Sequence, residues 1–402
     1  LNVVYGENES GKTTLHTFLV SMLFGLEKSR GRGAKQDVYT KYEPWNSASF
    51  YSGEMEFEVG GKDFGLERNF YHREKQTTLI SRQDGELLSE EYGDLQMLLG
   101  GLNKEMYENT YCIPQAGAAP GKELAEFVGK DEALCFSTGF TVNEGVIPQL
   151  AGRGDYIICD DRDHASIVDG RRLSFATQLK YKHNDMDALE KELQKCEPDA
   201  IKLIVVDSVF SMEGDLANLP EIVRLKKKYN ASIYVDEAHG LGVFGRQGRG
   251  VCDHFGVTED IDLIMGTFSK SLASIGGFVA GDKDVINWLR HNARSYIFQA
   301  SNTPAATAAA REAIHIFKTE PERQERLWKI TNYSLKRFRE SGFEIGETES
   351  PIIPLYVRDT DKTFEVTKLA FDEGVFINPV IPPACAPQDT LVRFALMATH
   401  TK

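Results

Sequence analysis

Lys270 closes the run Gly266-Thr267-Phe268-Ser269-Lys270, directly after the apolar stretch Leu263–Gly266. Asp236 ends another apolar stretch, Ser232–Val235, and His239 follows it. An amine able to add to a carbonyl and a carboxylate able to hold a cation therefore both stand at strand ends. In open α/β sheets the carboxyl ends of parallel strands are where ligands bind. His164, in Asp163-His164-Ala165-Ser166, offers a flat imidazole. Thr138-Gly139-Phe140 opens a helical run whose first backbone N–H groups can take a phosphate. Thr267 adds a hydroxyl. Taken singly, a lysine after a strand is usually solvated, an aspartate there usually caps a turn, and a histidine is usually ordinary polar surface or core. The weight lies in the set.

That set matches what pyridoxal 5′-phosphate (PLP) asks of a protein: a lysine for the Schiff base, an acid on the pyridine nitrogen, a phosphate cup and a group stacked on the ring. Lys270, Asp236, the Thr138-Gly139-Phe140 turn and His164 fill those places in order.

A second chemistry opens the chain. Gly6-Glu7-Asn8-Glu9-Ser10-Gly11-Lys12-Thr13 fits G-x-x-x-x-G-K-[ST], between a strand-like Leu1–Tyr5 and a helix from about Lys12. Lys12 is expected to neutralise the terminal phosphates of Mg-ATP and Thr13 to hold the Mg²⁺. With that loop upstream, Asp236-Glu237-Ala238-His239 also reads as a DEAH box, and Gly245-Arg246-Gln247-Gly248-Arg249-Gly250 as a helicase arginine motif. A formal net charge of -14 argues against a strand-tracking enzyme and against any general nucleic-acid partner, which needs a basic surface.

The elements that must position these residues fall into two unlike segments. In the first, Glu54–Val59 and Phe64–Phe70 around Gly60-Gly61 read as a hairpin, Thr77–Arg82 and Glu86–Leu88 as another, and Leu95–Tyr107 as a short helical run. From Glu123 onward, apolar strands at Tyr156–Cys159, Lys202–Val206, Ser232–Val235 and Leu263–Gly266 alternate with helical stretches such as Met186–Leu193 and Glu221–Tyr229. This predicts an α/β fold, a mainly parallel sheet with helices on both faces. A long amphipathic helical region after Pro304 and a small α+β piece over Phe343–Thr401 close the chain. The expected domains are 1–122, 123–303 and 304–402. Lys226-Lys227-Lys228 reads as a solvated helix face. No apolar run reaches transmembrane length, no signal peptide opens the chain, and six scattered cysteines form no CxxC pair. A cytoplasmic protein with reduced thiols is expected.

Over about 123–402 the chain resembles the α-oxoamine synthases, PLP enzymes of fold-type I. The carrying motifs are Phe136-Ser137-Thr138-Gly139-Phe140, Asp163-His164-Ala165-Ser166, Val209-Phe210-Ser211-Met212-Glu213-Gly214-Asp215, Asp236-Glu237-Ala238-His239-Gly240, Thr267-Phe268-Ser269-Lys270, and Arg393 with Ala398-Thr399-His400-Thr401. The resemblance implies that His239 and Ser211 bond the ring oxygen, that Arg393 grips the amino-acid carboxylate, and that Ser301 reaches the phosphate of a second subunit in a homodimer. Ser269 and Ser271 beside the lysine, and Ile381-Pro382-Pro383-Ala384 before Arg393, are similar to bacterial members that condense L-serine with palmitoyl-CoA to 3-oxosphinganine. Other members use glycine or alanine with another acyl-CoA. Residues 1–122 resemble the N-terminal piece of an SMC-type or AAA-like ATPase, where Gln115, after Tyr107-Glu108-Asn109-Thr110, would sense Mg²⁺ and the γ-phosphate. The two resemblances together imply a fusion or chimera: a partial ATPase segment, able to bind nucleotide but lacking parts that hydrolysis needs, stands where the synthases carry their own N-terminal segment. A nucleotide-binding module with an inert PLP part is the remaining alternative.

Overall fold

The computed structural model describes residues 12–26, 28, 38–44, 51–71, 73–102, 104, 107 and 121–401. It divides into two units, Leu1–Ala118 and Ala119–Lys402.

In the first unit, strands β1 (Ser52–Val59), β2 (Lys62–Asn69), β3 (Gln76–Ser81) and β4 (Leu87–Leu88) form one antiparallel sheet in sequence order. Both predicted hairpins are there, with Val59 facing Lys62 across Gly60-Gly61. Phe64, Leu66 and Leu79 pack with Met22, from the helix Lys12–Phe24, and with Tyr39. Of the helical run expected over Leu95–Tyr107, the first part lies in a helix covering Asp94–Leu98, beyond which Gly100 and Gly101 take positive φ; Asn103, Glu105 and Met106 lie outside the described residues.

In the second unit, seven strands line up as β5-β11-β10-β9-β8-β6-β7. They are β5 (Glu132–Phe136), β6 (Tyr156–Asp160), β7 (Thr177–Tyr181), β8 (Lys202–Asp207), β9 (Ser232–Asp236), β10 (Leu263–Thr267) and β11 (Gly277–Gly281). β6 to β10 pair in parallel, and β11 runs antiparallel between β10 and β5. β8, β10 and β11 are buried along their whole length, as strands covered on both faces must be. One face packs against Leu124, Leu189, Leu219 and Ile222 from helices Gly121–Val128, Met186–Leu193 and Leu219–Tyr229. The other packs against Val142, Ile167, Ile286 and Leu289 from helices Gly139–Leu150, Ala165–Arg172 and Lys283–Asn292. The helix expected from Glu221 starts at Leu219, because the Asn218 side chain caps it and Pro220 fits its first turn.

After helices Pro304–Thr319 and Glu322–Glu340, strands β12 (Ile352–Tyr356), β13 (Asn378–Val380) and β14 (Leu391–Ala395) make a small antiparallel sheet with β14 in the middle. Ile353 and Leu396 pack there against Leu327, Ile330 and Leu335 of the longer helix. Among the described residues no helix is long and apolar enough to cross a membrane.

The lysine run lies on a largely solvated helix face, as expected: Lys227 and Lys228 are exposed and Lys226 is partly buried, and each carries an ion pair. Lys226 pairs with Asp262 at 2.6 Å, Lys227 with Asp260 at 2.7 Å and Lys228 with Glu190 at 2.6 Å. Acids on neighbouring loops and on the helix Met186–Leu193 reach the same face.

Candidate active site at the carboxyl edge of the sheet

The ends of β5, β8, β9 and β10 carry the site. Past β5, Thr138 caps the helix Gly139–Leu150: its hydroxyl accepts from Thr141 N at 3.1 Å, and Thr141 Oγ1 accepts from Thr138 N at 3.2 Å. The first N–H groups of a helix lack intrahelical acceptors, so this turn can serve a phosphate. A Cβ on Gly139 would stand 2.8 Å from Thr267 Oγ1, so glycine lets the helix start abut the end of β10. The Thr267 hydroxyl itself lies 2.9 Å from Ser269 Oγ and donates to Gly276 O at 3.2 Å.

Asp236, the last residue of β9, is buried. Its Oδ2 accepts from Asn143 Nδ2 at 2.8 Å and its Oδ1 from Ala238 N at 2.9 Å. Asn143 is buried too. Its Oδ1 accepts from Tyr234 OH at 2.6 Å, and its Nδ2 also reaches Ser166 Oγ at 2.8 Å. Ser166 Oγ continues to His164 Nδ1 at 2.8 Å. The His164 backbone N–H donates to Asp207 Oδ2, at the end of β8, at 2.7 Å. Carboxylate and imidazole are thus joined through one buried amide.

Lys270 follows β10. Protein packed around its amine lowers its pKa from the usual lysine value. Asp236 and Asp207 oppose that shift and Arg393 adds to it. The side chain still opens to solvent, and Lys270 lines the cleft. Burial, then the positive charge of Lys270, lowers His164, against the pull of Asp236. Burial, then Lys270 and Arg393, holds His239 well below the ordinary imidazole value, so it is neutral. Burial lowers Arg393, whose Nε donates to Ser211 O at 2.8 Å. A cleft of about 280 Å³ is lined by His239, Lys270, Ser271, Arg393 and Leu396, among others.

This donor set fits PLP. A buried acid with two donors on its two oxygens keeps lone pairs for a pyridine N–H, an amine stands just past the end of the next strand, and a capped helix start faces the end of that strand. Ser211 contributes its carbonyl to Arg393. Ser301 is exposed and lies outside the cleft lining. Glu237, the second letter of the DEAH reading, is a buried brace: its Oε2 accepts from Ser208 Oγ at 2.7 Å and its Oε1 from Cys252 N at 2.8 Å. Gly6, Gly11 and Gln115 lie outside the described residues, as do the side chains of Lys12 and Thr13.

Sequence reasoning passed over Asn143, Ser166 and Asp207. For Asn143 a signal existed: it is a polar residue on the buried stripe Val142, Val146 and Ile147.

Residues 106–402 match the family described as aminotransferase class I and II, and residues 1–144 match the AAA domain. A serine palmitoyltransferase of Bacteroides ovatus is 83% identical over 281 residues, 70% of this chain and 71% of that protein. An 8-amino-7-oxononanoate synthase of Thermoanaerobacter pseudethanolicus is 42% identical over 282 residues, 70% of this chain and 71% of that protein. Among solved structures, Sphingomonas wittichii serine palmitoyltransferase superposes with a TM-score of 0.68 at 39% identity, covering 70% of this chain and 71% of that one.

Proposed function

The chain belongs to the aminotransferase class I and II family, as a PLP-dependent acyltransferase of the serine palmitoyltransferase type, and on that premise we propose that it joins L-serine to palmitoyl-CoA, giving 3-oxosphinganine, CoA and CO₂. The observation that carries the proposal is one cleft lined by both Lys270 and Arg393, in a chain 83% identical to a serine palmitoyltransferase over 281 residues.

When bound, the cofactor's protonated ring accepts the electron pair released at the amino acid's α-carbon. Asp236 keeps that ring nitrogen protonated, and Asn143 holds the carboxylate in place from behind. Arg393 takes the serine carboxylate with its guanidinium fork, a bidentate task to which lysine is less suited. Lys270 Nζ removes the serine α-proton. Its lowered pKa makes the free amine available for this at a pH nearer neutrality. His164 covers the ring, and the helix start at Thr138-Gly139-Phe140 takes the phosphate, with Thr267 beside it. Neutral His239 can donate one N–H to the ring oxygen, with Ser211 beside it. Ser301 serves the partner subunit's phosphate in a homodimer.

The resemblance to an 8-amino-7-oxononanoate synthase supports a second reading, another amino acid with a different acyl-CoA. A panel decides between them. The PLP-loaded chain is incubated with L-serine, glycine or L-alanine and palmitoyl-CoA, and CoA release is followed. Release with serine above the other two is expected; preference for alanine or glycine would replace the serine reading.

A further inference from the structure

His183 stands just beyond β7 with both ring nitrogens on carboxylates. Nδ1 lies 2.9 Å from Asp160 Oδ1 and Nε2 lies 3.0 Å from Asp215 Oδ2. A neutral imidazole has a single N–H, so donating on both sides takes the doubly protonated ring. Asp160 ends β6 and is 1% exposed, which makes it a fixed anchor in the large sheet. Asp215 belongs to the loop Val209–Leu216, whose two ends form a β-bridge. Phe210 of the same loop sets its ring edge-on to the imidazole, with centroids 4.4 Å apart. The other charged groups around the histidine are Asp161, which accepts the His183 backbone N–H at 3.1 Å, and Glu213, which pairs with Arg162 at 2.8 Å.

The loop held in this way meets the small sheet on its far side. The Ser211 carbonyl takes Arg393 Nε from β14 at 2.8 Å. The Gly214 carbonyl accepts from Thr348 Oγ1 at 3.2 Å and from Glu349 N at 3.3 Å. Gly214 has φ 73°, and a Cβ there would lie 2.2 Å from Ile352 O, so only glycine lets the loop tip press against β12. The loop is therefore the piece through which the parallel sheet touches the arginine.

We propose that His183 is a positioning residue: clamped between Asp160 and Asp215, it latches the Val209–Leu216 loop to the parallel sheet and so sets, through the Ser211 carbonyl, the direction of Arg393. The latch stands on geometry alone, and its consequence for substrate rests on the proposed role of Arg393 toward the amino-acid carboxylate. Burial pulls the His183 pKa down, but the two carboxylates outweigh it and raise it to about 9. The latch is closed at neutral pH and loosens as pH passes that value.

Two readouts test this on the full chain. The first is backbone amide exchange across Val209–Leu216 without cofactor or amino acid, taken as the variant-to-wild-type ratio at each pH. The second is the L-serine affinity of the PLP-loaded chain, from its visible absorbance. His183→Gln should speed loop exchange roughly tenfold at pH 7 and weaken serine about tenfold. Asp215→Asn keeps the shape and removes a charge, so it should fold and move the pH at which the loop loosens to a lower value. Unchanged loop exchange in both variants, or a profile that Asp215→Asn leaves in place, would overturn the latch. A looser loop with unaltered serine affinity would overturn its link to Arg393. A wild-type PLP-loaded chain blind to serine would instead sink the proposed substrate, and loop exchange would still decide the latch.

Discussion

Asn143 Nδ2 stands 2.8 Å from Asp236 Oδ2, both side chains buried, so the carboxylate at the end of β9 is fixed from behind by an amide. The same amide nitrogen reaches Ser166, which holds the His164 ring. One residue in the middle of a helix thus holds the Asp236 carboxylate directly and the His164 ring through Ser166.

Asn143→Leu keeps the volume and removes the amide. Hydrogen bonds to a charged partner contribute ~1.5–3 kcal/mol, and buried groups left unpaired cost a similar amount. PLP affinity should therefore fall about 10- to 100-fold, measured by titrating the cofactor against its absorbance. Unaltered affinity would mean that Asp236 needs no brace.

The difference between what could be read beforehand and what could not is a matter of distance along the chain. Lys270, Asp236 and His239 sit in short runs directly after continuous apolar strands, and burial on both faces leaves few other sequences for such strands. Asn143 and Asp236 are 93 positions apart, and only the packing of the helix Gly139–Leu150 on the sheet joins them. Ser211 shows a different limit. Its place in the motif was legible, but a sequence does not reveal whether a serine acts by hydroxyl or carbonyl, and here the carbonyl takes Arg393. The solvated face of the lysine run was legible, but its ion-pair partners were not, because they lie in elements 30 or so positions away, such as Glu190, 38 positions from Lys228.

Lys270→Ala should abolish turnover. The substitution removes the amine proposed to hold the cofactor and to take the α-proton, and general-base assistance alone is worth about 10²- to 10⁴-fold. CoA release from palmitoyl-CoA and L-serine is the measurement. Turnover surviving in this variant would assign both roles to another residue.

Arg393→Lys keeps a positive charge but loses the planar fork. If Arg393 holds the serine carboxylate, KM for L-serine should rise about tenfold or more, since a bidentate contact becomes a single one. Turnover at saturating serine should fall less. A lowered kcat at constant KM would instead place Arg393 in the reacting step.

His183 also links stability to pH. Its pKa is raised from 6.5 to about 9 by Asp160 and Asp215 against the pull of burial, so the folded chain holds this proton more tightly than the unfolded chain. A group with a raised folded pKa contributes fully below its unfolded value and loses that contribution as pH rises through the folded one. The contribution is therefore complete below about pH 6.5 and gone above about pH 9. A shift of this size corresponds to a ceiling on the order of 3 kcal/mol. Thermal unfolding of wild type and His183→Gln across pH 6 to ~10 should show a Tm gap that is widest at the acid end and closes with rising pH. A gap constant across that range would show that the histidine acts by shape rather than by charge. A gap that widens toward high pH would mean that the ring is neutral in the folded chain and that the two carboxylates do not hold its proton.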